Sequence, residues 1–155
     1  MGGGMRLDSM AHCKLNMSYA YAVTPFIAWF VAGILKFLVN SIKTHKLAVG
    51  LVGYGGFPSN HSTIVSSMVT LIALNEGIAH PAFGVALTFA FIVLLDANSL
   101  RQQVGKHAAL LNRLAERAQI NAALRERIGH SRTEIAGGVV VGMAVAFIIK
   151  SVFSQ

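Results

Sequence analysis

One stretch of the chain concentrates residue types suited to handling phosphate. Gly53-Tyr54-Gly55-Gly56-Phe57-Pro58-Ser59-Asn60-His61-Ser62 runs directly into an apolar segment. Glycines let backbone amides converge, Pro58 stiffens the approach, and Ser59 or Asn60 can cap the helix that follows. The positive end of a helix dipole, with free amides beside it, attracts anions. His61 falls in the first turn, where an imidazolium can give its proton to a leaving oxygen. Taken alone, the same residues serve equally well as a glycine-rich turn that caps a helix, with His61 incidental.

Residues elsewhere tip that balance. Asp96 ends the third apolar run and is followed by Arg101, whose planar fork of donors fits phosphate oxygens. Gly129-His130 precedes the last apolar run, and Glu134 stands four residues later on the same helical face as His130. Such a carboxylate can hold one imidazole nitrogen protonated and free the other to attack phosphorus. The plainer alternative is that His130 and Glu134 only cap and charge a helix start. Lys36 and Lys43, at the end of the first apolar run, serve either as interfacial anchors or as phosphate contacts. These groups fall at the ends of the first and third apolar runs and at the starts of the second and fourth, so a bundle of antiparallel helices would gather them on one face.

The elements that must position them are read from hydropathy. Of 155 residues, 54% are hydrophobic and 12% charged, against about a quarter charged in ordinary soluble domains. Mean hydropathy is +0.60. A soluble monomer is excluded, and the expected fold is all-α: a polytopic membrane helical bundle with about four spans and a basic amphipathic surface helix. The spans are Leu15 to Leu35, Ser59 to Leu74, Ala82 to Leu95 and Ile135 to Ile149; a helix needs about 20 residues to cross the hydrocarbon. The glycine-rich stretch Gly50 to Gly56 reads as a loop, re-entrant or otherwise, and Asn75 to Pro81 as a tight turn between antiparallel helices.

Between Asn98 and Thr133, Arg101, Lys106, Arg113, Arg117, Arg125, Arg127 and Arg132 face only Glu116 and Glu126, with apolar residues at helical spacing. That pattern is a charged amphipathic helix at the membrane surface. Residues 1–14 read as a flexible leader and 15–155 as a single membrane-embedded domain. Gly138 and Gly142 form a GxxxG pair suited to close helix packing, and are also a candidate surface for a second copy.

The net charge of +7 clusters between apolar runs, which fits cytoplasmic loops or anionic lipid rather than nucleic acid. With four crossings, the two basic loops share one side. The positive-inside rule makes that side cytoplasmic in an inner or plasma membrane. The lone Cys13 has no partner for a disulfide, and Arg6 stands where a myristoylation signal wants Ser or Thr.

Taken together, Gly55-Gly56-Phe57-Pro58-Ser59-Asn60-His61-Ser62, Asp96-Ala97-Asn98-Ser99-Leu100-Arg101, Gly105 with Leu111-Asn112, and Gly129-His130 with Glu134 resemble the divergent branch of the type-2 phosphatidic acid phosphatase superfamily. The resemblance covers about Lys36 to Gly142. It implies that His61 is the general acid, that Arg101 clamps phosphate, and that Lys36 and Lys43 stand for the first basic motif. Two partial matches compete for the nucleophile, which in that superfamily follows Ser-Arg by five residues and precedes an Asp by four. His107 has Arg101 at the right interval but Leu111 in place of the Asp. His130 has Glu134 at the Asp interval without a preceding Arg, and its helix-start position makes it the favoured candidate.

The expected function is therefore a phosphatase of a lipid phosphate or pyrophosphate, of phosphatidate, phosphatidylglycerophosphate or polyprenyl type, working through a phosphohistidine. His130, His61 and Arg101 would be catalytic. Lys36, Lys43, Gly56, Ser59, Asn60 and Ser62 would bind phosphate, with Asp96 and Glu134 in support. No cofactor or metal is expected, because fixed cations can neutralise the phosphoryl group and two carboxylates make a poor magnesium shell. The alternative is a carrier that binds phospholipid or polyprenyl-phosphate headgroups in the same pocket without chemistry.

Overall fold

A computed structural model of the protein describes residues 4–44, 56–121, 123–126 and 128–153. Side chains in α1 are described for residues 17–42. Most of the expected loop over Gly50 to Gly56, and the side chain of Lys43, lie outside the described residues.

The described residues form five α-helices: α1 (Gly4–Thr44), α2 (Asn60–Asn75), α3 (Pro81–Leu95), α4 (Arg101–Arg117) and α5 (Arg132–Phe153). Helix α1 takes in residues 4–14, which the sequence assigned to a leader. Among the described residues, three helical segments are long and apolar enough to cross a membrane: Met17–Ile42, Pro81–Arg117 and Arg132–Phe153. Helix α2 has 16 residues, about 24 Å of rise, and packs against α1, α3 and α5. The helix too short to cross a membrane alone is thus the one its neighbours cover.

Small residues make that enclosure possible. On α1, Ala20, Thr24, Ala28 and Ala32 recur every fourth position and are all fully buried, forming one smooth stripe. On α5, a Cβ at Gly138 would strike Ser59 and Ser62, and one at Gly142 would strike Ser66 and the backbone of Thr63. The GxxxG groove is therefore filled by α2 of the same chain. The buried hydroxyls of α2 bond back along the helix: Thr63 Oγ1 donates to Ser59 O at 2.9 Å and Ser66 Oγ to Ser62 O at 2.6 Å. An apolar medium tolerates them because none is left without an acceptor.

The end of the bundle away from His61 is tied by polar contacts. Tyr21 donates to Glu76 at 2.8 Å, and Lys150 Nζ donates to the Leu74 carbonyl at 2.6 Å near the C-terminus of α2.

The third apolar run does not stop at Asp96. A π-helical turn over Asp96–Leu100 joins α3 to α4 without a break, since neither Gly nor Pro interrupts the chain there. The surface helix expected over 98–133 ends at Arg117. Beyond it the chain turns at Gln119 (φ +57°) and returns along α4 as a strap of irregular backbone. The strap is held by Asn112, whose side chain donates to Leu124 O at 2.8 Å and accepts from Leu124 N at 2.9 Å. Gly105 permits this close return, since a Cβ there would meet the Glu126 carbonyl.

Candidate active site

The C-terminal ends of α1 and α3 and the N-terminal ends of α2 and α5 meet at one end of the bundle, bringing together most of the residues singled out above. The His61 and His130 rings pack edge to face, with centroids 5.9 Å apart and planes at 70°. Lys36 and Arg101 both act electrostatically on both imidazoles, Asp96 on His61 and Glu134 on His130. Four segments separated by up to about a hundred residues of sequence thus share one small space.

Each of these side chains is held by local structure. His61 sits in the first turn of α2, capped by Ser59, whose Oγ accepts from Ser62 N at 3.3 Å and from Ser62 Oγ at 3.0 Å. Ser59 N in turn donates to the Glu134 carbonyl at 2.9 Å, which fixes the start of α2 against the start of α5. Gly56 lies against the Asn40 side chain of α1. Ser59 and Ser62 are fully buried, so their roles are to cap and to pack, while Asn60 Oδ1 is buried without a hydrogen-bond partner.

His130 is positioned from the other side. Its backbone N donates to Ala97 O at 3.1 Å, and its carbonyl accepts from Gln102 Nε2 at 3.2 Å. Gly129 precedes it with φ +97°, a left-handed conformation that glycine adopts without strain. Here the close approach of Gln102 also leaves little room for a side chain. The π turn carries the remaining piece: its Asp96 Oδ2 accepts from Arg101 Nε at 2.7 Å, spanning the five-residue step that the wider turn creates. Such turns recur at functional sites because they re-aim side chains without ending a helix.

Glu134 behaves differently from the sequence expectation. Its carboxylate accepts from Ser131 N at 2.8 Å while Ser131 Oγ accepts from Glu134 N at 3.2 Å. This reciprocal pair is a capping box, legible in the sequence as Ser131-x-x-Glu134. His130 Nδ1 is buried without a hydrogen-bond partner, as is His61 Nδ1. Glu134 therefore reaches His130 through its charge rather than through a hydrogen bond. His107 is exposed on α4 and is not among the groups acting on either site imidazole. Lys43 follows Lys36 by seven residues on α1, and its side chain lies outside the described residues.

Burial holds the pKa of His130 below its ordinary value of 6.5, and the charges of Lys36, His61 and Arg101 act in the same direction against the opposing pull of Glu134. At neutral pH this ring is uncharged and its lone pair is available, as a nucleophile requires. Gln102 and Asn112 were the residues that sequence reasoning left without a role. Nothing local marks them, since each acts on backbone many residues away.

The membrane protein YuiD of Bacillus subtilis (strain 168), described as uncharacterized, is 28% identical over 139 residues, covering 79% of this chain and 88% of the relative. No solved structure matches the chain. Residues 17–145, which include both histidines, the π turn and the GxxxG groove, match the family described as Divergent PAP2, and this integral membrane protein belongs to that family.

Proposed function

We propose that the protein is a phosphatase of a membrane-borne lipid phosphate or pyrophosphate, of phosphatidate, phosphatidylglycerophosphate or polyprenyl type, acting through a phosphohistidine. The observation that supports this most is the pairing of His61 and His130 at 5.9 Å within the field of Lys36 and Arg101. Two adjacent imidazoles and two cations around one space are the parts that phosphoryl transfer needs.

In the first step the His130 nitrogen forms a bond to phosphorus as the ester or anhydride P–O bond breaks, and His61 gives its proton to the departing oxygen. Arg101, oriented by Asp96, neutralises the phosphoryl oxygens together with Lys36 and Lys43. The amides at the start of α2, from Gly56 to Asn60, favour the same negative charge. In the second step His61 takes a proton from water, whose oxygen attacks phosphorus. The P–N bond breaks, phosphate leaves, and both imidazoles return to their starting states. Both carboxylates of the site are already engaged, Asp96 by Arg101 and Glu134 by Ser131, so the positive side chains are the groups positioned to neutralise the phosphoryl charge. The basic loops at this end support a cytoplasmic site under the positive-inside rule.

One observation favours a second reading, a headgroup-binding or carrier protein. His130 Nδ1 has no carboxylate partner to orient it. Phosphate release by the purified protein from a panel of lipid phosphates in detergent micelles separates the two. The phosphatase reading expects release that falls by at least about a thousandfold in His130→Ala and about a hundredfold or more in His61→Ala. Binding of the lipid phosphates with no release from any of them would leave only the carrier.

A further inference from the structure

Beside the histidine pair, a groove of about 370 Å³ runs between α3 and α5. Its walls are Leu94 and Leu95 on one side and Ile135 and Ala136 on the other, with Phe91 one turn deeper, and its polar members are Asn98 and Arg132. These two lie at one end. Asn98 belongs to the π turn that carries Asp96 and Arg101, and Arg132 follows His130 by two residues. From that rim the apolar walls lead away from the site along both helices, and Phe91 and Leu95 are exposed on the outer surface of the bundle. Both helices belong to segments able to cross a membrane, so the groove faces lipid.

We infer that this groove holds the first part of the hydrocarbon chain of a phosphate-bearing lipid, with Arg132 and Asn98 receiving the polar end and the phosphoryl group reaching the His61–His130 pair. The polarity is that of one amphiphile: a cation at the rim, carbon side chains below it, and an open side through which a chain in the bilayer can slide. A volume near the low end of ligand sites suits a length of one chain rather than a whole lipid. Arg132 follows His130 by two residues and lines the rim of the groove, so it marks the path between the proposed phosphoryl clamp and the chain. The assignment rests on the proposed reading of the histidine pair for its direction, since that pair fixes where the headgroup goes.

The test uses the full chain in nanodiscs and a lipid phosphate with a photoactivatable diazirine within the first few carbons of its chain. Labelled peptides should contain the 91–95 segment of α3 and the 135–136 segment of α5. Unlabelled lipid phosphate should compete, and phosphatidylcholine should not. Arg132→Gln should weaken labelling by the phosphate lipid while leaving labelling by the corresponding neutral alcohol unaltered. Ala136→Trp, which fills the groove, should abolish the labelling and flatten the dependence of KM on chain length, with the KM for long chains rising at least about tenfold. Should that variant not fold, Leu94→Trp and the labelling of the unaltered protein carry the same test. Label spread over α1 or over the 82–89 part of α3, or equal competition by phosphatidylcholine, would overturn the assignment. Groove-specific labelling without phosphate release would leave the groove intact and remove only the phosphatase reading.

Discussion

His61 is carried by the packed interior of the bundle, where Ser62, Thr63 and Ser66 of α2 close against Gly138 and Gly142 of α5. His130 hangs on an irregular strap fastened by side-chain hydrogen bonds from Gln102 and Asn112. The first region is dry and closely packed, so its geometry is set by volume; the second is exposed along much of its length and set by a few polar contacts. Packing of small residues leaves no slack, because backbone meets backbone and neither can yield. Hydrogen-bonded straps can give by fractions of an ångström, and each bond contributes only about 0.5–1.5 kcal/mol net. One imidazole is therefore fixed by the fold itself, and the other by an attachment that can be altered without dismantling the fold.

The sharpest way to break that contrast is Gly142→Leu. Its side chain would run into Ser66 Oγ and the backbone of Thr63 and Ser67, where overpacking costs about 1–3 kcal/mol or more. Little monodisperse protein should be recovered in detergent, and what is recovered should melt well below the parent. An unchanged melting temperature would show that the α2–α5 contact is not the rigid member of the pair.

Asn112→Ala should do the reverse. It removes three hydrogen bonds to the strap at Leu124 and Glu126 but touches no interior residue. Melting should shift little, while phosphate release should fall by about ten- to a hundredfold, the scale expected when a reacting group is misplaced by about an ångström. If melting and release fall together, the strap is part of the core rather than an attachment to it.

Asp96→Asn should have a smaller effect. The Asp96–Arg101 pair is about one-third exposed, with side chains at 32% and 36%, so solvent screening limits its worth. Arg101 should lose orientation rather than charge, raising KM a few-fold with kcat nearly unchanged. A fall in kcat alone would assign Asp96 a part in proton transfer instead.

The pH profile gives the finest measurement. Because the pKa of His130 lies below 6.5, its ring stays neutral as pH falls from 7 through that value and is protonated only in more acidic solution. The acid limb of kcat/KM should therefore lie below the ordinary imidazole range. Lys36→Met removes one of the charges that oppose protonation, so the limb should move up in pH. A limb that moves down, or does not move, would show that the group titrating is not His130.

Much of the arrangement was legible beforehand. The apolar runs marked the helices, the glycine-serine-histidine stretch marked the start of α2, and Gly129-His130 marked the approach to α5. These are properties of a few neighbouring residues: helical period, capping and hydropathy act over one or two turns. The capping box of Ser131 and Glu134 was equally local and was available to the same reasoning, yet Glu134 was matched with His130 because the spacing of four suits either partner. The continuation of α3 through the π turn was signalled only by the absence of Gly and Pro between Asp96 and Val104.

The sequence by itself determined that this is a membrane helical bundle with its imidazole and basic groups at one end, because a bilayer forces the backbone into helices and the chain order then alternates their directions. Tertiary structure alone decided which residues touch: that α2 fills the Gly138–Gly142 groove, that Glu134 bonds Ser131, and that Gln102 and Asn112 hold a strap ending at His130. A hydrogen bond between residues 12 or 28 positions apart leaves no periodic trace in a chain. It exists only once packing has brought donor and acceptor within reach.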